Sequence, residues 1–348
     1  MLNVLCKMSN DYGRDPAYVL AGGGNTSYKT ADTLWIKPSG AALADVTEED
    51  FAVMDRRYLH AMRTAAYPAA DDAREAAALS DLMSARKPGS ENKRPSVETA
   101  VHDLFPQSLV LHVHPGLVNG LTCSQNGAAK CAELLPGAVW LPEVKPGVTL
   151  MKSMMAALDG HKAASGTDAN IVLIQNHGIF IAGESREEID ALMSGVMETL
   201  KKALVRVPDT TPVEVTAELT GMYHDGFMIL FNNAEINKMI SSKDAFAPLA
   251  QPFTPDHMVY CGASPLYIEE ASNDYDISQS NIVAIQNVGC FAMGKTEKAA
   301  AAARDLFIDA ASVAVYAESF GGYRHMSGEL AAFIGGWEVE RFRKEKGK

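Results

Sequence analysis

"NIVLIQNHGIFIAGES", residues 170–185, reads as two apolar strand segments with a tight bend permitted by Gly178 between them. The phrase returns as "NIVAIQNVGCFAMGKT" at 281–296, identical at 9 of 16 positions, and a helix-forming stretch follows each copy. Working backwards, "LVLHVHPGLVN" (109–119) can be laid on "MILFNNAEINK" (228–238), both apolar strands leading into a helix. "GAVWLP" (137–142) likewise resembles "HMVYCG" (257–262). The order is kept, which indicates a partial internal duplication. Each copy would run strand, helix, strand, strand–turn–strand, helix, and alternation of that kind marks an α/β protein.

The rest of the first half extends the same reading. Residues 1–20 read as a short helix and a turn, "AGGGNTSYKT" as a loop, "LWIK" (34–37) as a strand and "PSG" (38–40) as a turn. "DVTEEDFAVMDRRYLHAMRTA" (45–65) has helical spacing with Thr47 as N-cap, and "SVETAVHDLF" (96–105) reads as a helix capped by Ser96. Between them "ARKPGSENKRP" (85–95) is polar and exposed. Two regions are expected: a catalytic domain over 1–207, and a degenerate repeat lobe without metal ligands over 208–348, packed on or continuing the first sheet.

Composition bounds the function. With 47% hydrophobic and 21% charged residues, 348 residues can bury a sizeable core. A net charge of −12 argues against nucleic acid or an anionic membrane as main partner, while a small anionic substrate stays possible in a local pocket. Five cysteines with no CxxC spacing do not suggest a disulfide framework. No apolar run reaches membrane-spanning length and the N-terminus lacks a signal pattern, so a cytoplasmic location is expected.

The duplication also works as an internal control. His112 falls opposite Phe231, His114 opposite Asn233 and His177 opposite Val288, so the strands persist where the histidines do not. On a strand, residues i and i+2 share a face, which projects His112 and His114 together with Cα atoms about 7 Å apart. Two imidazoles at that spacing can share an ion with Zn–N near ~2.1 Å, and His177, beside the permissive Gly178, is the best third ligand. Three neutral imidazoles leave zinc an open position. The remaining histidines have no such partner spacing; His102, one helical turn after Glu98, reads as structural. Glu98 itself is either a first-turn acid favoured by the helix dipole or a carboxylate that moves a proton beside the metal, and position alone leaves both open.

Taken together, "GGGNTSYK", "LWIKPSG", "RPSVETAVH", "LHVHPG" and "IQNHGIFIAG" resemble the class II aldolase/adducin family, with most likeness to its rhamnulose- and fuculose-phosphate aldolases, including the aldolase half of bifunctional rhamnulose-phosphate aldolase/dehydrogenases. The resemblance covers residues ~17–205 by motif. It implies an α/β/α sandwich and zinc-dependent (or other divalent-metal) retro-aldol cleavage of a ketose 1-phosphate to dihydroxyacetone phosphate and an aldehyde. It also implies a homo-oligomer. By motif, His112, His114 and His177 would bind the metal and Glu98 would be the acid/base. Asn25, Ser39, Gly40 and Ser96 would form the phosphate pocket, with Lys29 or Lys37 able to add charge. Val97 stands where phosphate-cleaving members tend to have a second serine. The family's catalytic tyrosine has no aligned counterpart; Tyr260, Tyr267, Tyr316 and Tyr323 are candidates. A sugar-phosphate epimerase with the same site and a non-catalytic adducin-like binding protein are the alternatives.

Overall fold

A computed structural model describes residues 1–215, 226–270 and 280–337. The chain divides into two compact units, one of residues 1–115 and 128–200, the other of 116–127 and 201–348.

The first unit is built on seven strands: β1 (Asn25–Lys29), β2 (Thr33–Ile36), β3 (Ala52–Asp55), β4 (Leu109–Val113), β5 (Val139–Leu141), β6 (Ile171–Ile174) and β7 (Gly178–Gly183). Their order is β3-β2-β1-β4-β7-β6-β5, antiparallel except for the parallel pair β5–β6. β4 lies in the middle, which is why "LVLHV" is buried at every position and not at alternate ones. Helices cover both faces. On one, Val110, Val172, Phe180 and Ala182 join a core with the helices Arg56–Thr64, Asp71–Ser84, Thr99–Leu104 and Val148–Ser165. On the other, Ser9 of the helix Leu2–Arg14 hydrogen-bonds Thr26 of β1 at 2.6 Å, and Tyr12 donates to Asp190 of the helix Arg186–Ala203 at 2.9 Å. This is the three-layer α/β/α sandwich.

Two sequence-derived helix starts are corrected. Thr47 does not cap a helix: its N–H and hydroxyl both bond Asp50 Oδ2 at 2.8 Å, closing a turn. Ala52–Asp55 then pairs with β2, and the helix begins at Arg56 with Asp55 accepting from Arg57 N–H. Sheet pairing that buries the apolar side chains of Ala52 and Met54 overrides the helical spacing. Ser96 likewise opens a turn, its hydroxyl accepting from Glu98 N–H at 3.2 Å, and the helix starts at Thr99.

The second unit contains β8 (Phe227–Phe231), β9 (Leu266–Ile268), β10 (Ile282–Ile285) and β11 (Gly289–Gly294), in the order β8-β11-β10-β9. Order and directions repeat those of β4-β7-β6-β5. Leu109 pairs with Gly183 and Phe227 with Gly294, the same position in the two copies. Pairing therefore places Leu230 in the place of His112 and Asn232 in that of His114, one residue from the match read off the letters. Two apolar runs tolerate such a slip in sequence, whereas the pleat does not. The match of 137–142 to 257–262 also fails: Pro255–Cys261 is a helix capped by Thr254, and β9, parallel to β10, takes the place that β5 has beside β6 in the first unit. The turns agree closely, with Asn176 and Asn287 both at φ 56°, a left-handed conformation that asparagine tolerates.

The helix Gly116–Thr122 packs, within the second unit, on the helix Glu297–Ala317. A Cβ at Gly120 would lie 2.3 Å from Tyr316 Cβ, so only glycine allows this approach. Among the described residues no helix is long and apolar enough to cross a membrane.

Candidate metal centre

The site forms where one row of the first sheet meets the turn before the helix Thr99–Leu104. Asn25, His112 and Phe180 are direct cross-strand neighbours on β1, β4 and β7. The His112 ring stacks on Phe180 with centroids 3.9 Å apart and planes 12° apart. Its Nδ1 lies 2.9 Å from Ile179 O. That carbonyl can only accept, so Nδ1 carries a proton and Nε2 is the nitrogen turned toward Glu98, the one a metal would take.

Candidate ligand atoms of His112, His114 and His177 all lie within 4.8 Å of one another. His114 Nε2 approaches His112 Nε2 to 3.0 Å. His177 comes from the turn between β6 and β7, where its N–H donates to Ile174 O at 3.2 Å. Gly178 is needed for this convergence: a Cβ there would sit 2.6 Å from both His114 Cδ2 and Val113 O.

Glu98 closes the group. Its side chain does not cap the helix that follows; Oε1 lies 3.3 Å from His112 Nε2 and 3.6 Å from His177 Nε2. Oε2 accepts from Asn25 Nδ2 at 2.7 Å, while Oε1 is buried and accepts no hydrogen bond. Burial pushes this carboxyl up, but His112, His177 and the Asn25 amide outweigh it and hold it well below the ordinary carboxylate range. A buried carboxylate oxygen without a donor, 3.3 and 3.6 Å from two of the three clustered imidazoles, fits a divalent cation: a tetrahedron with ~2.1 Å bonds has edges of about 3.4 Å.

Of the other expected residues, Asn25 and Ser96 join this group directly. Ser96 accepts from Asn25 Nδ2 at 3.3 Å, which brings it beside Glu98. Ser39 donates its N–H to Arg94 O at 2.8 Å and Gly40 takes φ 83°, so loops 38–40 and 94–96 run side by side. Lys29 and Lys37 are both buried, their ammonium groups donating to His102 O at 2.9 Å and Gly24 O at 3.0 Å. Tyr260, Tyr267, Tyr316 and Tyr323 all belong to the second unit. Of the other histidines, His60 lies 3.2 Å from Asp103, His257 3.0 Å from Asp309, and His325 2.9 Å from Pro248 O; His161 sits on the helix Val148–Ser165, and His224 lies outside the described residues. His102 is the one that sequence spacing undervalued: its Nδ1 meets Ser27 Oγ at 2.8 Å and its Nε2 meets Asn25 Oδ1. The available signal was the polar alternation Asn25, Ser27, Lys29 in a buried strand.

The chain is 29% identical over 189 residues to an uncharacterized oxidoreductase, YuxG, of Bacillus subtilis (strain 168), a match covering 51% of this chain and 26% of that protein, so the chain spans about a quarter of this relative's length. Among solved structures it is similar to the N-terminal class II aldolase domain of a conserved protein from Thermoplasma acidophilum, at 25% identity and a TM-score of 0.50 over 58% of this chain and 92% of that one. An L-fuculose-1-phosphate aldolase from Thermus thermophilus aligns at 17% identity and a TM-score of 0.37, over 57% and 91% of the two chains. Residues 3–204 match the family described as the class II aldolase and adducin N-terminal domain, and with more than half of its length inside that match the chain belongs to this family.

Proposed function

We propose that the chain is a zinc-dependent lyase that cleaves a ketose 1-phosphate, or a related sugar, to dihydroxyacetone phosphate and an aldehyde. The observation that carries this reading is the unshared Glu98 Oε1 set against His112 and His177, two of the three clustered imidazoles. An ion held by His112, His114 and His177 would supply Lewis-acid stabilisation of the negative charge that a retro-aldol cleavage develops. Glu98 moves the proton at the carbon next to the carbonyl: Oε2 is tethered by Asn25, so Oε1 is the oxygen able to take and return it. Ser39, Gly40 and Ser96 hold the phosphate end, where hydroxyls and loop N–H groups suit an anion, while Asn25 beside them already donates to Glu98 and Ser96.

The test is metal analysis of the purified chain followed by a panel of ketose 1-phosphates with aldehyde detection. Bound zinc and release of free aldehyde are expected. An isomeric sugar phosphate in place of aldehyde would assign the same site to an epimerase, and failure both to bind a divalent metal and to turn over any substrate would sink the enzymatic reading.

A further inference from the structure

A buried hydrogen-bonded chain runs away from the metal centre and is not accounted for by metal binding. Asn25, Ser27 and Lys29 alternate onto the face of β1 toward the helix Thr99–Leu104, and His102 of that helix meets all three. Ser27 and His102 are fully buried, and Asn25 is 7% exposed. The donors and acceptors can be assigned in sequence. Glu98 Oε2 only accepts as a carboxylate, so the group that meets it at 2.7 Å is the Asn25 amide nitrogen. Asn25 Oδ1 then faces His102 Nε2, and because this oxygen only accepts, Nε2 carries the proton. Burial, outweighing the nearby Glu98 charge, holds the His102 ring well below the usual imidazole range, so the ring is neutral and Nδ1 is bare. The Ser27 hydroxyl, 2.8 Å away, donates to it.

We infer that His102 is a positioning residue: by donating from Nε2 to Asn25 Oδ1 it fixes which end of that amide meets Glu98, and so keeps Glu98 Oε2 tethered and Oε1 turned to the imidazoles. An asparagine amide is nearly symmetrical in shape, and nothing in its own sterics decides its orientation. Reversed, it would set an oxygen against the carboxylate and lose the tether. The inference rests on Glu98 being the proton-transferring group.

Nitrogen NMR of histidine-labelled full-length protein tests the chain without any reaction. The expected signal, assigned by its loss in His102→Gln, is a neutral ring protonated at Nε2; a ring protonated at Nδ1 overturns the proposal. Kinetics provide the second arm. His102→Leu is expected to lower kcat by about 10–100-fold, as partners of site residues commonly do, with KM and metal content held. Added to Asn25→Ala, it should cost little more, because both remove the same tether; His102→Gln, whose amide can still donate, should recover part of the loss. Losses that multiply, or that merely follow the folded fraction in thermal melts, would reduce His102 to a core residue. A wild type inactive on every ketose 1-phosphate would sink the aldolase reading and leave the ring protonation to decide this one.

Discussion

The sheet β4-β7-β6-β5 and the sheet β8-β11-β10-β9 have the same order, the same strand directions and the same left-handed asparagine in the turn. Phe180 and Phe291 occupy one position in both and are both buried. The three histidine positions differ: the second sheet carries Leu230, Asn232 and Val288. A backbone that forms equally well with leucine, asparagine and valine does not need imidazoles. The comparison separates what the fold requires, an apolar alternation and a permissive turn, from what was added to the first copy for chemistry. Gly178 and Gly289 repeat the lesson, since an added Cβ would meet His114 and Val113 O in the first unit but Val215 in the second.

The largest expected effect breaks the comparison outright. His112→Ala, His114→Ala or His177→Ala should each abolish turnover and sharply reduce bound metal, well beyond the ~10–100-fold that a ligand's partner is worth. Intact protein should hold one ion per chain by elemental analysis; two ions would mean that the second sheet has its own site, and full occupancy in His177→Ala would remove that residue from the first. Glu98→Gln should keep the metal, since the imidazoles remain, and lose proton exchange at the carbon beside the carbonyl by about 10²–10⁴-fold. Undiminished exchange would return Glu98 to the bland role of an acid at a helix start.

The paired glycines sharpen the contrast. Gly178→Ala forces atoms against a backbone carbonyl and a histidine ring, and overpacking typically costs about 1–3 kcal/mol. It should weaken metal binding in calorimetric titration as well as lower the melting temperature. Gly289→Ala, at φ 158° and against the Val215 side chain, should lower stability alone. Equal loss of metal affinity in both would refute the division of roles.

The last effect is one of pH dependence and concerns Lys29, whose ammonium burial depresses to about 7. Its folded value lies below the unfolded one near ~10.4, so between these the unfolded chain binds more protons and stability rises with pH, by at most about 1.4 kcal/mol per unit. In Lys29→Met that component of the slope should vanish. Denaturant melts from pH 7 to 10 that show identical slopes would mean that Lys29 stays charged inside the fold.

What could be read from the sequence was local or repeated. His112 and His114 lie two residues apart, and His177 stands out because Val288 answers it in the second copy. The pairing register was one residue away from the letters, because Leu230 and Phe231 are interchangeable in a hydrophobic run and only their cross-strand partners distinguish them. Asn25, Ser27 and His102 meet across more than 70 residues of chain, a contact between a strand and a helix that no spacing rule reports. The helix at 96–105 was legible, but its start was not, since the turn at Ser96 is held by bonds of its own.

The placement of residues 116–127 has a consequence for biosynthesis. This segment follows directly on His114 and Pro115, yet it folds with residues 201–348, and its buried helix rests on Glu297–Ala317. During translation it leaves the ribosome long before that support exists. At about 5–20 residues per second, roughly 10–40 s pass before its partner emerges. For that time Leu117, Val118 and Leu121, all buried in the finished fold, lack the helix on which they come to rest.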